Sequence, residues 1–237
     1  MKRRPTLPSL MVLAAVWLAA CTQQTVETPY AVTIDPDHFV QGVDNPYFPL
    51  VPGTTLTYEG SSPEGVEHFE DYVTHETKQV MGVTCIVIHN KVTLNGQLTE
   101  DTFDWYAQDV DGNVWYFGED TKEFGPDGTV STAGSWTGGV DGALPGIIMP
   151  ADPQVSDSYR QEFYAGEAED LAEVLSLTET VTVPYGSFEN VLSTRDWTPL
   201  EPSVAERKYY APGVGLIREE VIQGGSGNVE LVSVTAE

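Results

Sequence analysis

Asn95-Gly96 stands between the runs Lys91-Val92-Thr93-Leu94 and Gln97-Leu98-Thr99-Glu100, and nothing else in the chain restricts its folding so tightly. Both central positions of a two-residue type I′ turn need positive φ, which Asn and Gly supply, so the flanking runs are predicted to pair as antiparallel neighbours. The same punctuation recurs on either side. Thr54 to Gly60 ends at Ser61-Ser62-Pro63-Glu64-Gly65, Val66 to Lys78 follows, and a turn at Met81-Gly82 leads into Val83 to Val92. Thr102 to Gln108 runs into Asp109-Val110-Asp111-Gly112-Asn113 and returns as Val114-Trp115-Tyr116-Phe117, before another turn at Gly125-Pro126-Asp127-Gly128. Short strands handed on by tight turns specify an antiparallel meander.

Two stretches have a different texture. Pro29 to Gly53 contains Asn45-Pro46-Tyr47-Phe48-Pro49-Leu50-Val51-Pro52-Gly53, a proline density that forbids a central strand. Its apolar side chains are expected to lie across one end of the sheet as a lid. Gly138 to Pro153 is apolar, glycine-rich and proline-punctuated, and reads as a long ordered loop. Strand patterning resumes over Ser158 to Ala165. Glu169 to Leu177 fits a helical face as well as a strand, and the β-branched residues downstream favour the strand. Thr180 to Val183, Asn190 to Trp197, Arg207 to Ala211, Gly215 to Gln223 and Asn228 to Thr235 complete the set. With no repeat and no linker, residues 29–237 read as one domain.

The chain opens with Lys2, Arg3 and Arg4, then an uncharged apolar run from Leu10 to Ala20, which reads as an export signal over residues 1–20, too short to span a membrane. Leu18-Ala19-Ala20-Cys21 resembles the bacterial lipobox, which implies that Cys21 becomes a lipid-modified, palmitate-type acylated N-terminus anchoring the mature chain in a membrane; an ordinary secretory signal is the alternative. Thr22 follows the cysteine where no Asp stands, a pattern resembling outer-membrane lipoproteins of diderm bacteria. Residues 21–28 form a polar tether. Cys85 is then the one remaining thiol, and Val83-Thr84-Cys85-Ile86-Val87-Ile88 places it in a buried strand as a small core hydrophobe.

The charge excludes whole classes of partner. There are 36 Asp and Glu against 11 Lys and Arg, a net charge of −25; without Lys2, Arg3 and Arg4 the mature chain carries −28. Phosphate recognition needs clustered cations, so nucleic acid is excluded, as is charge-driven binding to anionic membranes. A hydrophobic content of 41% is too high for a disordered acidic tail.

Tyr185-Gly186-Ser187-Phe188-Glu189-Asn190-Val191-Leu192 and Lys208-Tyr209-Tyr210-Ala211-Pro212-Gly213-Val214-Gly215-Leu216-Ile217-Arg218 resemble a pairing seen in uncharacterised exported bacterial lipoproteins with a YYAPGVGL-type β motif. The resemblance covers roughly the last third of the chain. It implies the closing hairpins of a curved antiparallel sheet, in some cases a half-barrel like those of lipoprotein carriers, and it carries over no catalytic residue. In that motif Gly213 and Gly215 permit a bulge or positive φ beside Pro212, returning Val214 and Leu216 to the core face. The fold class expected is all-β: a single domain with a curved antiparallel meander sheet, half-barrel or barrel-like, and long apolar loops.

No catalytic constellation is present in sequence. His38, His68, His75 and His89 lack metal-ligand spacing, and Gly224-Gly225-Ser226-Gly227 has Asn228 where a nucleophile elbow needs glycine. Asp109, Asp111 and Asn113 offer alternating oxygens, as calcium loops do, but without the third acidic position before glycine and the terminal glutamate; a plain hairpin turn accounts for them adequately. The acidic clusters Glu100, Asp101 and Asp104; Glu119, Asp120 and Glu123; and Glu167, Glu169, Asp170 and Glu173 read mostly as solvated faces. Trp105, Tyr106, Trp115, Tyr116 and Trp136 are the candidate ligand platform, with ordinary cross-strand packing as the alternative. Alternation places Trp105 and Tyr106 on opposite faces, one set in the core and the other outward or facing a cavity.

The reading that follows is a non-enzymatic cell-envelope lipoprotein that needs no cofactor. It binds a small apolar or aromatic-stacking ligand, or an envelope protein, beneath the two apolar loops. An acidic cation-binding or glycan-binding surface module with weak Ca²⁺ affinity is the alternative, and a two-carboxylate hydrolase ranks last.

Overall fold

The computed structural model describes residues 30–237. The leader over residues 1–20, the acylation site Cys21 and the tether over 21–28 lie outside the described residues.

Among the described residues there is no α-helix, only a short 3₁₀ turn at Pro36–His38 ahead of fifteen strands. They are β1 (Thr54–Ser62), β2 (Gly65–Val80), β3 (Val83–Leu94), β4 (Gln97–Gln108), β5 (Val114–Phe124), β6 (Val130–Ser131), β7 (Trp136–Thr137) and β8 (Leu144–Met149). After these come β9 (Ser158–Arg160), β10 (Glu162–Phe163), β11 (Leu171–Val183), β12 (Gly186–Trp197), β13 (Ala205–Ala211), β14 (Gly215–Gln223) and β15 (Asn228–Ala236). All pair antiparallel in one curved sheet that is not closed, in the order β10-β8-β5-β4-β3-β2-β1-β15-β14-β13-β12-β11-β9, with β6 and β7 also on β5. The architecture is therefore two meanders, β1–β5 and β11–β15, joined where the first strand lies beside the last, with Thr54 opposite Ala236 and Ser61 opposite Asn228.

The turns follow their residue chemistry. Asn95 and Gly96 take φ of 51° and 82°, as a type I′ turn requires, and Met81-Gly82 forms a second positive-φ pair. Within Glu169 to Leu177 the chain is strand from Leu171 onward, resolving the competition with helix. One expectation is corrected: Gly138 to Pro153 is not loop throughout, because Leu144–Met149 forms β8, which pairs with β5 and β10. Gly146 explains the misleading composition. A Cβ there would sit 2.5 Å from the carbonyl oxygen of Arg160, so the glycine exists for a close backbone crossing and not for flexibility.

The two ends of the strand order meet in the chain. Ser158–Arg160 pairs with β11 and Glu162–Phe163 pairs with β8, and Gln161 alone separates them. Gln161 is buried, its amide N–H donating to the Asp170 carbonyl and its side-chain amide to Asp196. Register shifts at Val73/Thr77, Asp104/Tyr106 and Tyr209/Tyr210 bend the strands, so that the inner faces of β2–β4 and β13 confront each other across a hollow. The outer face of the first meander is covered as well: Ile34 and Phe39 pack on Val83, Cys85, Val87, Trp105 and Phe117.

Candidate functional site

The proline-rich segment folds as a lid fastened to both meanders. Buried Asn45 donates its side-chain amide to the carbonyls of Gly112 (3.0 Å) and Pro150 (3.1 Å), and its Oδ1 accepts from the Tyr47 N–H. Gln108 on β4 completes the anchor: its Oε1 accepts the N–H groups of Asp44 and Asn45, both at 2.9 Å. On the other side, the Gly213 N–H donates to the Pro46 carbonyl at 2.7 Å. Gly213 and Gly215 hold φ of 77° and 101°, the geometry expected of the Pro212-Gly213-Val214-Gly215 turn.

Beneath the lid lies a cavity of about 230 Å³. That exceeds the roughly 150 Å³ of an engineered apolar cavity able to hold benzene. Phe48, Pro49 and Leu50 roof it from the lid, Ile148 enters from β8, and Val214, Gly215 and Leu216 enter from the YYAPGVGL motif. Leu56, Val73 and Ile88 continue the apolar wall. The opposite pole is polar: Tyr58, Asp71, Asn90, Asp104, Tyr106, Lys208 and Tyr210. Tyr58 donates its hydroxyl to the Leu216 carbonyl at 3.1 Å. The hydroxyls of Tyr106 and Tyr210 find no partner among the described residues, although Tyr210 is only 3% exposed. Both tyrosines line the hollow, where water or a guest can bond their hydroxyls.

Strand parity explains why acids face inward. Asp71 pairs with Asn90 and Asp104 with Ile88, so Asp71, Val73, Ile88, Asn90, Asp104 and Tyr106 share one face. Here the solvated reading of the acidic clusters is corrected for Asp104 and Glu119, which join a chain of inward carboxyls. Burial raises Asp71 to about 6 despite the hydrogen bond from Asn90. Burial, then the charge of Glu119, raises Asp104 well above the carboxylate range. Glu119 is pushed to about 7 by burial and by Glu162, and Glu162 itself to about 8 by burial and by Asp170. The Tyr116 hydroxyl lies 2.7 Å from Asp104 Oδ1 and 3.0 Å from Glu119 Oε2. A hydroxyl carries one proton, so it donates to one carboxylate while the other contact needs a protonated carboxyl donating to the phenol oxygen. The trio thus retains a proton that two free carboxylates at neutral pH would have lost.

Among the described residues Lys208 is the one cation on the cavity wall. Its Nζ lies 3.5 Å from Glu219, 3.8 Å from Asp196 and 4.0 Å from Glu206. Burial pulls its pKa down, but Glu219 and Asp196 outweigh it and hold the ammonium charged.

Of the five aromatic candidates, Tyr106, Tyr116 and Trp136 pack together while Trp105 and Trp115 lie on the outer face. Tyr106 alone lines the cavity, stacked on Tyr116 at 4.8 Å between ring centroids, with Phe48 of the lid tilted against it at 5.2 Å. Trp105 is buried on the outer face with the Lys78 ammonium 3.8 Å over its ring. Trp115 packs against Phe39 on the same side and donates its indole N–H to Asp109. Trp136, also buried, stands edge-on to Tyr116 and donates to Glu162 Oε2 at 2.9 Å. The oxygens of Asp109 are committed within the turn: Oδ1 accepts the N–H groups of Asp111 and Asn113, and Oδ2 accepts from the side chains of Asn113 and Trp115. Asp111 pairs with His38, and Asn113 Oδ1 accepts from the Ala151 N–H. The set accordingly closes a loop and ties it to the segment after β8. His68 sits 3.8 Å from Glu59, and His89 is a half-buried partner of Asp101 at 2.5 Å, stacked on Phe103. Cys85 is fully buried, its thiol pushed up to about 12 by burial, which suits a packing role. Sequence reasoning missed Tyr58, Asp71, Lys208 and Tyr210 as wall residues; inward parity was the available signal, but it acquires meaning only once the concave side is known.

No protein-family model and no curated protein matches the sequence. Two crystal structures resemble the chain in outline. One is of a Bacteroides fragilis NCTC 9343 protein inferred to be exported and described as having a YmcC-like fold, at TM-score 0.47 and 16% identity over 80% of this chain and 98% of that one. The other is of a Parabacteroides distasonis ATCC 8503 protein inferred to be a lipoprotein, at TM-score 0.47 and 15% identity over the same shares.

Proposed function

We propose that the protein is a non-enzymatic, lipid-anchored cell-envelope protein that holds a small, mainly apolar ligand in the cavity beneath the lid. The observation that supports this most directly is a cavity with an aliphatic wall and a polar pole, whose Tyr106 and Tyr210 hydroxyls make no hydrogen bond among the described residues. Such a combination of apolar lining and a few convergent polar groups is what small-molecule sites present. Both apolar segments singled out in sequence contribute to the roof or wall, through Phe48 and Leu50 from one and Ile148 from the other. The export signal and the lipobox-like Leu18-Ala19-Ala20-Cys21 support the address.

Two experiments test the two halves. The first is titration with an environment-sensitive apolar dye, which should brighten with the wild type and lose its response in Ile88→Trp, where an indole fills the cavity. An unchanged response in a folded Ile88→Trp variant refutes ligand holding at this site. The second is intact-mass analysis of the membrane fraction, where a Cys21→Ser variant should lack the acyl mass. Equal masses apart from the substitution refute anchoring.

A further inference from the structure

Acid is in surplus around the polar pole. Asp71 and Asp104 line the cavity, while Asp196, Glu206 and Glu219 surround Lys208, five carboxyl groups against one ammonium. Because Lys208 is already flanked by three carboxylates, its charge is committed on its own wall. Among the described residues Asp71 and Asp104 form no ion pair: Asp71 accepts from the Asn90 amide, and Asp104 from the Tyr116 hydroxyl. Each retains lone pairs beyond those single bonds. An independent sign comes from Tyr210, a cavity-wall side chain only 3% exposed, whose hydroxyl makes no hydrogen bond among the described residues and is left open to whatever fills the hollow.

We propose that the occupant is an amphiphile with a primary ammonium head and a small apolar body, the head donating to Asp71 and Asp104. The inference rests on the ligand-holding reading above and adds the chemistry of the head. An ammonium brings three donors and no acceptor, which matches two carboxyl groups and a phenol oxygen of Tyr106 or Tyr210. It also brings a cation to carboxyl groups that have none beside them, which favours their ionised form. A carboxylate or phosphate head would add a further anion to the five carboxyl groups and be rejected. The apolar body has Leu50, Val73, Ile88, Ile148 and Leu216 to lie against.

Calorimetric titration of the whole protein with octylamine, octanol and octanoate, each below its aggregation concentration, separates the possibilities. Octylamine should bind at least tenfold more tightly than octanol, and octanoate should give no measurable heat. Since a chain of net charge −25 attracts any cation to its surface, uncharged octanol must also displace octylamine from the wild type in competition. Asp71→Asn with Asp104→Asn, which keeps both hydrogen-bond acceptors, should bring octylamine down to the affinity of octanol and leave octanol unchanged. Octanol or octanoate binding as tightly as octylamine overturns the head assignment while sparing the cavity reading. Octylamine that octanol cannot displace, or that the double variant binds undiminished, also overturns it. Failure of all three ligands overturns both.

Discussion

Glu162 offers the sharpest test of the inner carboxyl chain. It lies on β10 at one end of the strand order, 9% exposed, with its Oε2 accepting from the Trp136 indole. Burial and the neighbouring Asp170 raise it from 4.5 to about 8. In the unfolded chain the group releases its proton near its ordinary value, while the folded chain holds it several pH units longer. The folded state therefore binds more protons between pH 4.5 and 8, and stability must fall as pH rises across that window. The contribution is fully present below the unfolded value and lost once pH passes the folded one. At 1.36 kcal/mol per pH unit the interval corresponds to about 5 kcal/mol at most. Glu162→Gln keeps an oxygen for Trp136 and removes the titration. Urea unfolding at pH 5 and pH 9 should show variant and wild type nearly equal at the lower pH. At the higher pH the variant should be the more stable, by a few kcal/mol. A variant less stable at pH 9, or a wild type whose stability rises between the two pH values, refutes the reasoning.

Three further outcomes follow from the fold. Asn45→Ala strands the Gly112 and Pro150 carbonyls and should cost about 2–4 kcal/mol in denaturant unfolding. Hydrogen exchange should then quicken in residues 43–50, and unchanged exchange there would mean that the lid is held elsewhere. Gly118→Ala should destabilise by about 2 kcal/mol or more, because φ is 128° and the added Cβ would meet the Trp136 carbonyl oxygen at 2.3 Å; a neutral substitution measured by thermal melting contradicts this. With 36 acids facing 11 bases, melting temperature should rise between low and molar NaCl, and a fall would show that repulsion does not limit the fold.

The local part of the fold was legible in sequence because its causes are local. Asn95-Gly96 sets its own turn, and the Tyr210-to-Leu216 motif placed Val214 and Leu216 inward before any partner was known. Two kinds of feature were not. The pairing of Thr54 with Ala236 spans nearly the whole chain, and no turn residue encodes a register between strands so far apart. Asp104 and Glu119 looked like solvent-facing acids, because alternation tells which residues share a face but not which face is concave. Trp105 and Trp115 are as aromatic as Tyr106, yet the Ile34–Phe39 cover buries them on the far side. That cover depends on a long-range return of the chain that composition does not reveal. For β8, proline and glycine signalled a loop, whereas Pro145 and Gly146 serve a strand next to a crossing backbone.

The adjacency of β1 and β15 has a consequence in time. Each meander pairs near neighbours in sequence, whereas the final nine-residue strand, Asn228–Ala236, must find Thr54–Ser62 across nearly the whole chain, the kind of contact that forms slowly. A chain emerging from its N-terminus therefore carries the β1 edge unpaired for nearly its entire synthesis. A truncation before Asn228 should leave the β1 and β14 edges bare, open to pairing with another chain.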